Sequence, residues 1–461
     1  MPRAGISGKG IISSLGRGCA ETCAHLLGGE PPLPALPRRF KTELPLPVFE
    51  LDEALPEGFH GGFPLYFLEI ALEEALRNAK LTPEILRGKR VGVAVGTTVA
   101  CQLDSIPFYE HLRQGEMPDA SPVLNYVRGM PAEYIRRKYG LNGPAITVSN
   151  ACASGADAAM IGLNWIRTGR CDLVIAAGCD AVGKVSLDGF NALRVCAPEP
   201  CRPFDEHRRG LNLGDAAGVV ILEDPAEAEK RGVVVDFELA GAGKTADAFH
   251  ITQPESSGAE LENAVRMALA GAGVGTEMIG FVNAHGTGTP VNDRVESAVL
   301  ARIFGETLRF HSTKAMTGHT LGAAGTIELI FTEMMLRAGK IAPSFRCDEP
   351  ASEVPVPPVR EITPVEADCA LSTSLAFGGS NTALAVRKIR SVSDDDGGFS
   401  AESPLYVSAF RCLAPGEPDP AATMAVCRKY GLRRLDRMTQ LALAAADAVA
   451  DAVCGGGSDT A

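Results

Sequence analysis

Three short stretches of this chain carry side chains that can do acyl chemistry together. Cys152 sits in VSNACASG (148–155), His285 in NAHGTGTP (283–290), and Lys314 with His319 in STKAMTGHTLGAAG (312–325). A cysteine can hold an acyl group as a thioester. Two imidazoles can stabilise negative charge on a second thioester. Together they are the equipment for joining two acyl units through carbon.

The elements that must position them can be read nearby. The apolar run AITVS (145–149) leads into Asn150 and Ala151, and helical spacing begins just after Cys152. The following Ala153, Ser154, Gly155 and Ala156 are small enough for close backbone approach. This predicts a strand–turn–helix elbow with the thiol at a helix N-terminus, where free amides and the helix dipole favour a thiolate. The same amides can hold the oxyanion of an attacked thioester. His285 follows the apolar run GFVNA and precedes a loop of small polar residues. A histidine at the C-terminal end of a strand usually faces a cleft, and Thr287 and Thr289 offer hydroxyls beside it. Lys314 precedes His319 by five residues and is expected to buttress it. The remaining histidines, such as His25 and His207, read as ordinary core or surface groups.

Composition narrows the class. With 461 residues, 46% hydrophobic and 22% charged, the chain can bury a large core in two or three domain-sized units. No apolar run approaches the ~18 residues of a membrane helix, and the start lacks the apolar stretch of a secretory signal. The expected address is the cytoplasm. Thirteen cysteines without C-x-x-C spacing argue against zinc. A net charge of −12 argues against nucleic acid, and an acidic partner would have to meet a local basic patch.

Apolar β-branched runs at 89–97, 145–149, 172–178, 218–224, 280–284, 309–313, 370–374 and 382–388 alternate with helical spacing at 63–80, 153–169, 258–273, 294–304 and 322–338. This predicts an α/β protein built from two similar halves, 1–240 with the cysteine and 241–389 with both histidines. An acidic, Gly-containing linker at 391–404 opens a tail, 390–461, with helical spacing at 433–453. The tail echoes the N-terminal segments, as a partial repeat would; an appended amphipathic helix is the other reading.

In order and spacing, NACASG, CRPFDEHRRGLNLGDAAG (201–218), DAFHITQP (247–254), NAHGTGTPVNDRVE (283–296), STKAMTGHTLGAAG and LAFGGSNTAL (375–384) resemble a known family. It is the β-ketoacyl-[acyl carrier protein] synthases of the elongating Cys-His-His type, in the thiolase superfamily. The resemblance covers about residues 1–389. It implies a thiolase-like, five-layered αβαβα fold made of two pseudo-repeated halves, in a homodimer or a synthase heterodimer. It implies that Cys152 accepts the acyl group, and that His285 and His319 bind a malonyl thioester and promote its decarboxylation. Lys314 and Glu296 would organise the histidines. The amide of Phe377 would join that of Cys152 in an oxyanion hole. Thr287 and Thr289 would bind the phosphopantetheine arm, with Gly378 and Gly379 as further substrate-binding positions.

The implied reaction is a decarboxylative Claisen condensation giving a 3-oxoacyl-acyl carrier protein, in fatty-acid or polyketide-type synthesis. No metal, nucleotide or redox cofactor is implied, since substrates ride on the phosphopantetheine of an acyl carrier protein. That acidic partner would dock on a cationic rim, with Arg194, Arg128 and the run from Arg136 as candidates. A non-catalytic, chain-length-determining partner subunit is the alternative, and Cys152 weighs against it. A coenzyme-A thiolase would want a second catalytic cysteine, and an initiating enzyme an asparagine where His319 stands. The chain departs from the family at Leu375 and Ala376, where phenylalanine and glycine are frequent, at Ala216 and Gly288, and throughout 98–125.

Overall fold

A computed structural model describes residues 2–389 apart from 60, 100–102 and 104. The expected linker and tail at 390–461 lie outside the described residues. Ten strands form the main path of the sheet: β1 (Gly5–Ser13), β2 (Val91–Gly96), β3 (Ala145–Val148), β4 (Leu173–Asp180), β5 (Ala216–Glu223), β6 (Phe237–Ala246), β7 (Ile279–Asn283), β8 (Phe310–His311), β9 (Cys369–Ala376) and β10 (Ser380–Lys388). Their order is β3-β2-β4-β5-β1-β6-β10-β9-β7-β8.

That order is one five-strand motif used twice. In the first half β3, β2 and β4 run parallel, and β4–β5 and β5–β1 are antiparallel. In the second half β8, β7 and β9 run parallel, and β9–β10 and β10–β6 are antiparallel. Within the sheet the two halves join at one register pair, Gly5 with Glu238. The repeat reaches individual residues. A Cβ on Gly8 or Gly10 of β1 would strike the carbonyls of Ala75 and Ala71 in α1 (Gly62–Asn78). A Cβ on Gly241 or Gly243 of β6 would strike those of Ala268 and Ala264 in α2 (Ala259–Ala272). Each first strand thus lets its outer helix lie against the backbone.

Two more helices occupy the space between the two halves of the sheet: α3 (Ser154–Arg167) and α4 (Ala324–Ala338). Every residue of α4 from Ala324 to Leu336 is buried, the signature of a helix packed all round. Both central helices contact strands of each half, while α1 packs on β1 and β5, and α2 on β6 and β10. The layers are therefore α, β, α, β, α. β4 and β5 are buried at every position, as strands covered on both faces require.

The strands expected from apolar runs are present, within a few residues at each end. The run at 309–313 shortens to Phe310–His311, because Ser312 turns away to donate to the carbonyl of Gly286 at 2.7 Å. β6 was not legible, since Gly241, Gly243 and Lys244 interrupt its apolar pattern; it spans the expected 240/241 boundary. No helix among the described residues is long and apolar enough to cross a membrane.

Candidate active site

The nucleophile elbow forms as its small residues suggested. β3 ends at Val148, Ala151 takes a positive φ of 46°, and the central helix starts at Ser154. Cys152 is 3% exposed, at the floor of a cavity of ≈290 Å³. His285 and His319, both 2% exposed, line the same cavity, with ring centres 5.2 Å apart and planes at 85°. His285 arrives from the end of β7 and His319 from the loop after β8. These are equivalent ends of two adjacent parallel strands, which is why residues 34 apart in sequence converge.

Both histidines are neutral donors. Burial pushes each imidazole well below its ordinary pKa, and the charge of Lys314 pushes further. Lys314 Nζ, which can only donate, lies 3.2 Å from Nδ1 of His285. The Leu321 amide donates to Nδ1 of His319 at 3.3 Å. With each Nδ1 accepting, the remaining proton of each ring sits on Nε2. The site therefore holds two uncharged N–H donors beside a thiol.

Lys314 and Glu296 stand behind the pocket. Lys314 is 1% exposed and donates to the carbonyl of His285 at 2.6 Å and to Glu328 at 2.5 Å. The sequence proximity of Lys314 to His319 was misleading, because the lysine buttresses His285 instead. Glu328 was not found from sequence, although a carboxylate within the apolar run of α4 is a signal. Burial pushes it up to about 7 against the pull of Lys314. Glu296 grips the His285 loop by its backbone: it accepts the amides of His285 and Gly286, both at 2.8 Å, and the Thr373 hydroxyl at 2.7 Å. Asp293 accepts the amides of Thr287 and Gly288. The loop needs glycine at 286 and 288, whose φ values are 38° and 79°.

The backbone amide of Phe377 lies near enough to the Cys152 sulfur to favour its thiolate. Its ring stacks on Phe190 at 5.5 Å, and Phe190 meets His319 edge-on at 6.3 Å. Burial pushes the Cys152 thiol up to about 12, while Lys314 and the Phe377 amide pull it down. Burial outweighs the helix-terminus effect expected from sequence, so the resting group is a thiol.

Thr287, Thr289 and Gly379 line the cavity, and the two threonine hydroxyls lie 2.8 Å apart. Gly378 does not line it; its amide closes a loop by donating to Ile251 at 2.8 Å. Arg194 lies at the mouth, together with Arg209, which sequence reasoning missed. Arg128 instead lines a separate hollow with Arg137 and Lys138. Arg136 is engaged by Glu133 at 2.6 Å. The three arginines do not form one rim.

Comparison with known proteins agrees with this geometry. Residues 64–228 match the family model of the beta-ketoacyl synthase N-terminal domain, and 237–348 that of its C-terminal domain. Nodulation protein E of Rhizobium leguminosarum bv. trifolii is 35% identical over 330 residues, covering 69% of this chain and 81% of that one. The mitochondrial 3-oxoacyl-[acyl-carrier-protein] synthase of Arabidopsis thaliana is 30% identical, covering 82% and 92%. The crystal structure of a beta-ketoacyl synthase from Burkholderia phymatum superposes with a TM-score of 0.77 at 30% identity, covering 85% of this chain and all of that one.

Proposed function

The chain belongs to the beta-ketoacyl synthase family, and we propose that it condenses an acyl thioester held on Cys152 with malonyl-acyl carrier protein. The product is a 3-oxoacyl-acyl carrier protein, for fatty-acid or polyketide-type synthesis. One observation carries this reading: a thiol and two neutral Nε2–H donors share one buried cavity, with a backbone amide aimed at the sulfur.

In the first step the Cys152 sulfur attacks the acyl thioester carbonyl. The carrier's pantetheine sulfur leaves and takes up the proton that Cys152 gives up. Amides of Cys152 and Phe377 receive the transient oxyanion. Malonyl thioester then binds with its carbonyl oxygen between His285 and His319. Loss of CO2 leaves an enolate, which the two N–H groups stabilise where the charge develops. The enolate carbon attacks the Cys152 thioester and expels the thiolate, which is reprotonated. Neutral imidazoles suit this step, because a doubly cationic site would instead repel Lys314. The balance needs no metal or redox cofactor.

Thr287 and Thr289 are proposed to bind the pantetheine arm, and Arg194 to meet the acidic carrier protein at the mouth. A second copy of the chain is proposed to pair along β3. That strand ends the sheet, Ile146 on it is 40% exposed, and the nearby helices Ile106–Arg113 and Ser121–Val127 bury no residue. An uncovered edge beside exposed Tyr109, Leu112 and Val127 is an association surface. The proposed address is the cytoplasm. The alternative of a non-catalytic partner subunit gives no role to Cys152. Supplying acyl- and malonyl-carrier protein and identifying a 3-oxoacyl product by mass tests the reading; intact substrates would refute it.

A further inference from the structure

Behind the elbow lies a polar cluster that the steps above do not use. Asp157, in the first turn of the nucleophile helix, has a side chain 4% exposed. Its Oδ2 accepts Asn150 Nδ2 at 2.6 Å and Lys244 Nζ at 2.5 Å, and its Oδ1 accepts the Thr382 hydroxyl at 2.7 Å. The hydroxyl oxygen of Ser380 accepts from Asn150 and Lys244 as well, at 2.9 and 3.0 Å. We propose that the Lys244–Asp157 pair is a positioning device that holds the turn bearing Cys152 and the loop bearing Phe377 in register; the proposal rests on Cys152 being the acyl acceptor.

The connection runs through backbone. Asn150 precedes Ala151, whose positive φ of 46° is unfavourable for a residue with a Cβ. Asn150 is fixed on three sides. Its amide donates to Ser154 Oγ at 2.8 Å, its carbonyl accepts from Ala153 at 3.3 Å, and its side chain reaches Asp157. On the other side, Ser380 follows directly on the turn that carries Phe377, which lines the same cavity as Cys152 and whose amide favours the Cys152 thiolate. One carboxylate therefore anchors both segments that present amides to a thioester oxygen. A buried carboxylate stays an acceptor only if its charge is met, and Lys244, which reaches it from β6, supplies the countercharge.

The test is single-turnover acylation of Cys152 by an acyl-pantetheine thioester, read by intact mass. Alkylation by iodoacetamide is run beside it, because it uses the thiol but no oxyanion donor. Lys244→Met should slow acylation by roughly tenfold to a hundredfold, with the maximal rate falling rather than KM rising. Its alkylation rate should stay that of the wild type. Lys244→Arg, which keeps the cation, should restore most of the acylation rate. If Lys244→Met does not fold, Lys244→Gln takes its place and should show the same deficit. Wild-type acylation by the variant, or an equal fall in acylation and alkylation, would overturn the proposal. Should the wild type be alkylated yet never acylated, the assignment of Cys152 as acyl acceptor fails instead, so the two failures are distinct.

Discussion

Lys314 Nζ lies 3.2 Å from Nδ1 of His285 and 2.6 Å from the same residue's carbonyl oxygen. A lysine has no acceptor, so the contact fixes the tautomer of His285 and aims its Nε2 proton at the cavity. Burial, and after it the charge of Lys314, keeps the ring from protonating. The contact makes His285 an Nε2–H donor, and burial denies it the role of a cation.

The two histidines and the cysteine should separate by step. His285→Ala and His319→Ala should keep substantial acyl transfer to Cys152 while CO2 release from malonyl thioester falls by ~100-fold or more. Release of labelled CO2 measures it directly. Undiminished decarboxylation in both variants contradicts the division of labour.

Glu296 should matter for the loop before it matters for chemistry. Glu296→Ala strands two buried amides that now bond its carboxylate, and each orphan costs about 1–3 kcal/mol. A urea titration should show a loss of at least ~2 kcal/mol. Stability equal to wild type would mean that the loop finds other acceptors.

His311 offers a pH test. It is fully buried on β8, its ring nitrogens have no hydrogen-bond partner among the described residues, and burial pushes its pKa down to about 3. Between about 3 and the ordinary value of 6.5 the unfolded chain binds a proton that the folded chain refuses. Stability from this group is therefore full above 6.5 and lost as pH falls below it, by about 1.4 kcal/mol per pH unit. His311→Phe should be stabilising at pH 8 and more so at pH 5. An equal effect at both values contradicts the neutral, buried state.

Arg194 should affect the carrier and not the arm. Arg194→Glu should raise KM for acyl-carrier substrates and leave that for a pantetheine mimic unchanged, with the difference shrinking as salt screens charges beyond ~8 Å. Equal effects on both substrates would remove Arg194 from docking.

Much of this was legible in the sequence, and the exceptions share a cause. β4 and β5 announce themselves as unbroken apolar runs because both faces are covered. The elbow was legible because Ala151, Ala153 and Gly155 leave room that only a tight turn needs. β6 was hidden because Gly241 and Gly243 serve close packing by α2 rather than apolar burial. The partner of Lys314 was misread because proximity in sequence stood in for proximity in space. Lys314 opens a helical turn that points back to β7, and Gly318, at φ 67°, then sends His319 elsewhere. The Lys244–Asp157 pair joins strands and helices from both halves, so no local pattern reveals it. Arg128 and Arg136 had no spacing that could tie them to the mouth.

The most direct measurement follows the mass of the intact protein through one turnover. Incubation with an acyl-carrier thioester should add one acyl mass, mapped to Cys152. Adding malonyl-carrier protein should remove that mass as CO2 and a 3-oxoacyl-carrier product appear together. An acyl adduct that forms equally on Cys152→Ala, or one that persists unchanged after malonyl-carrier protein is added, would contradict the account.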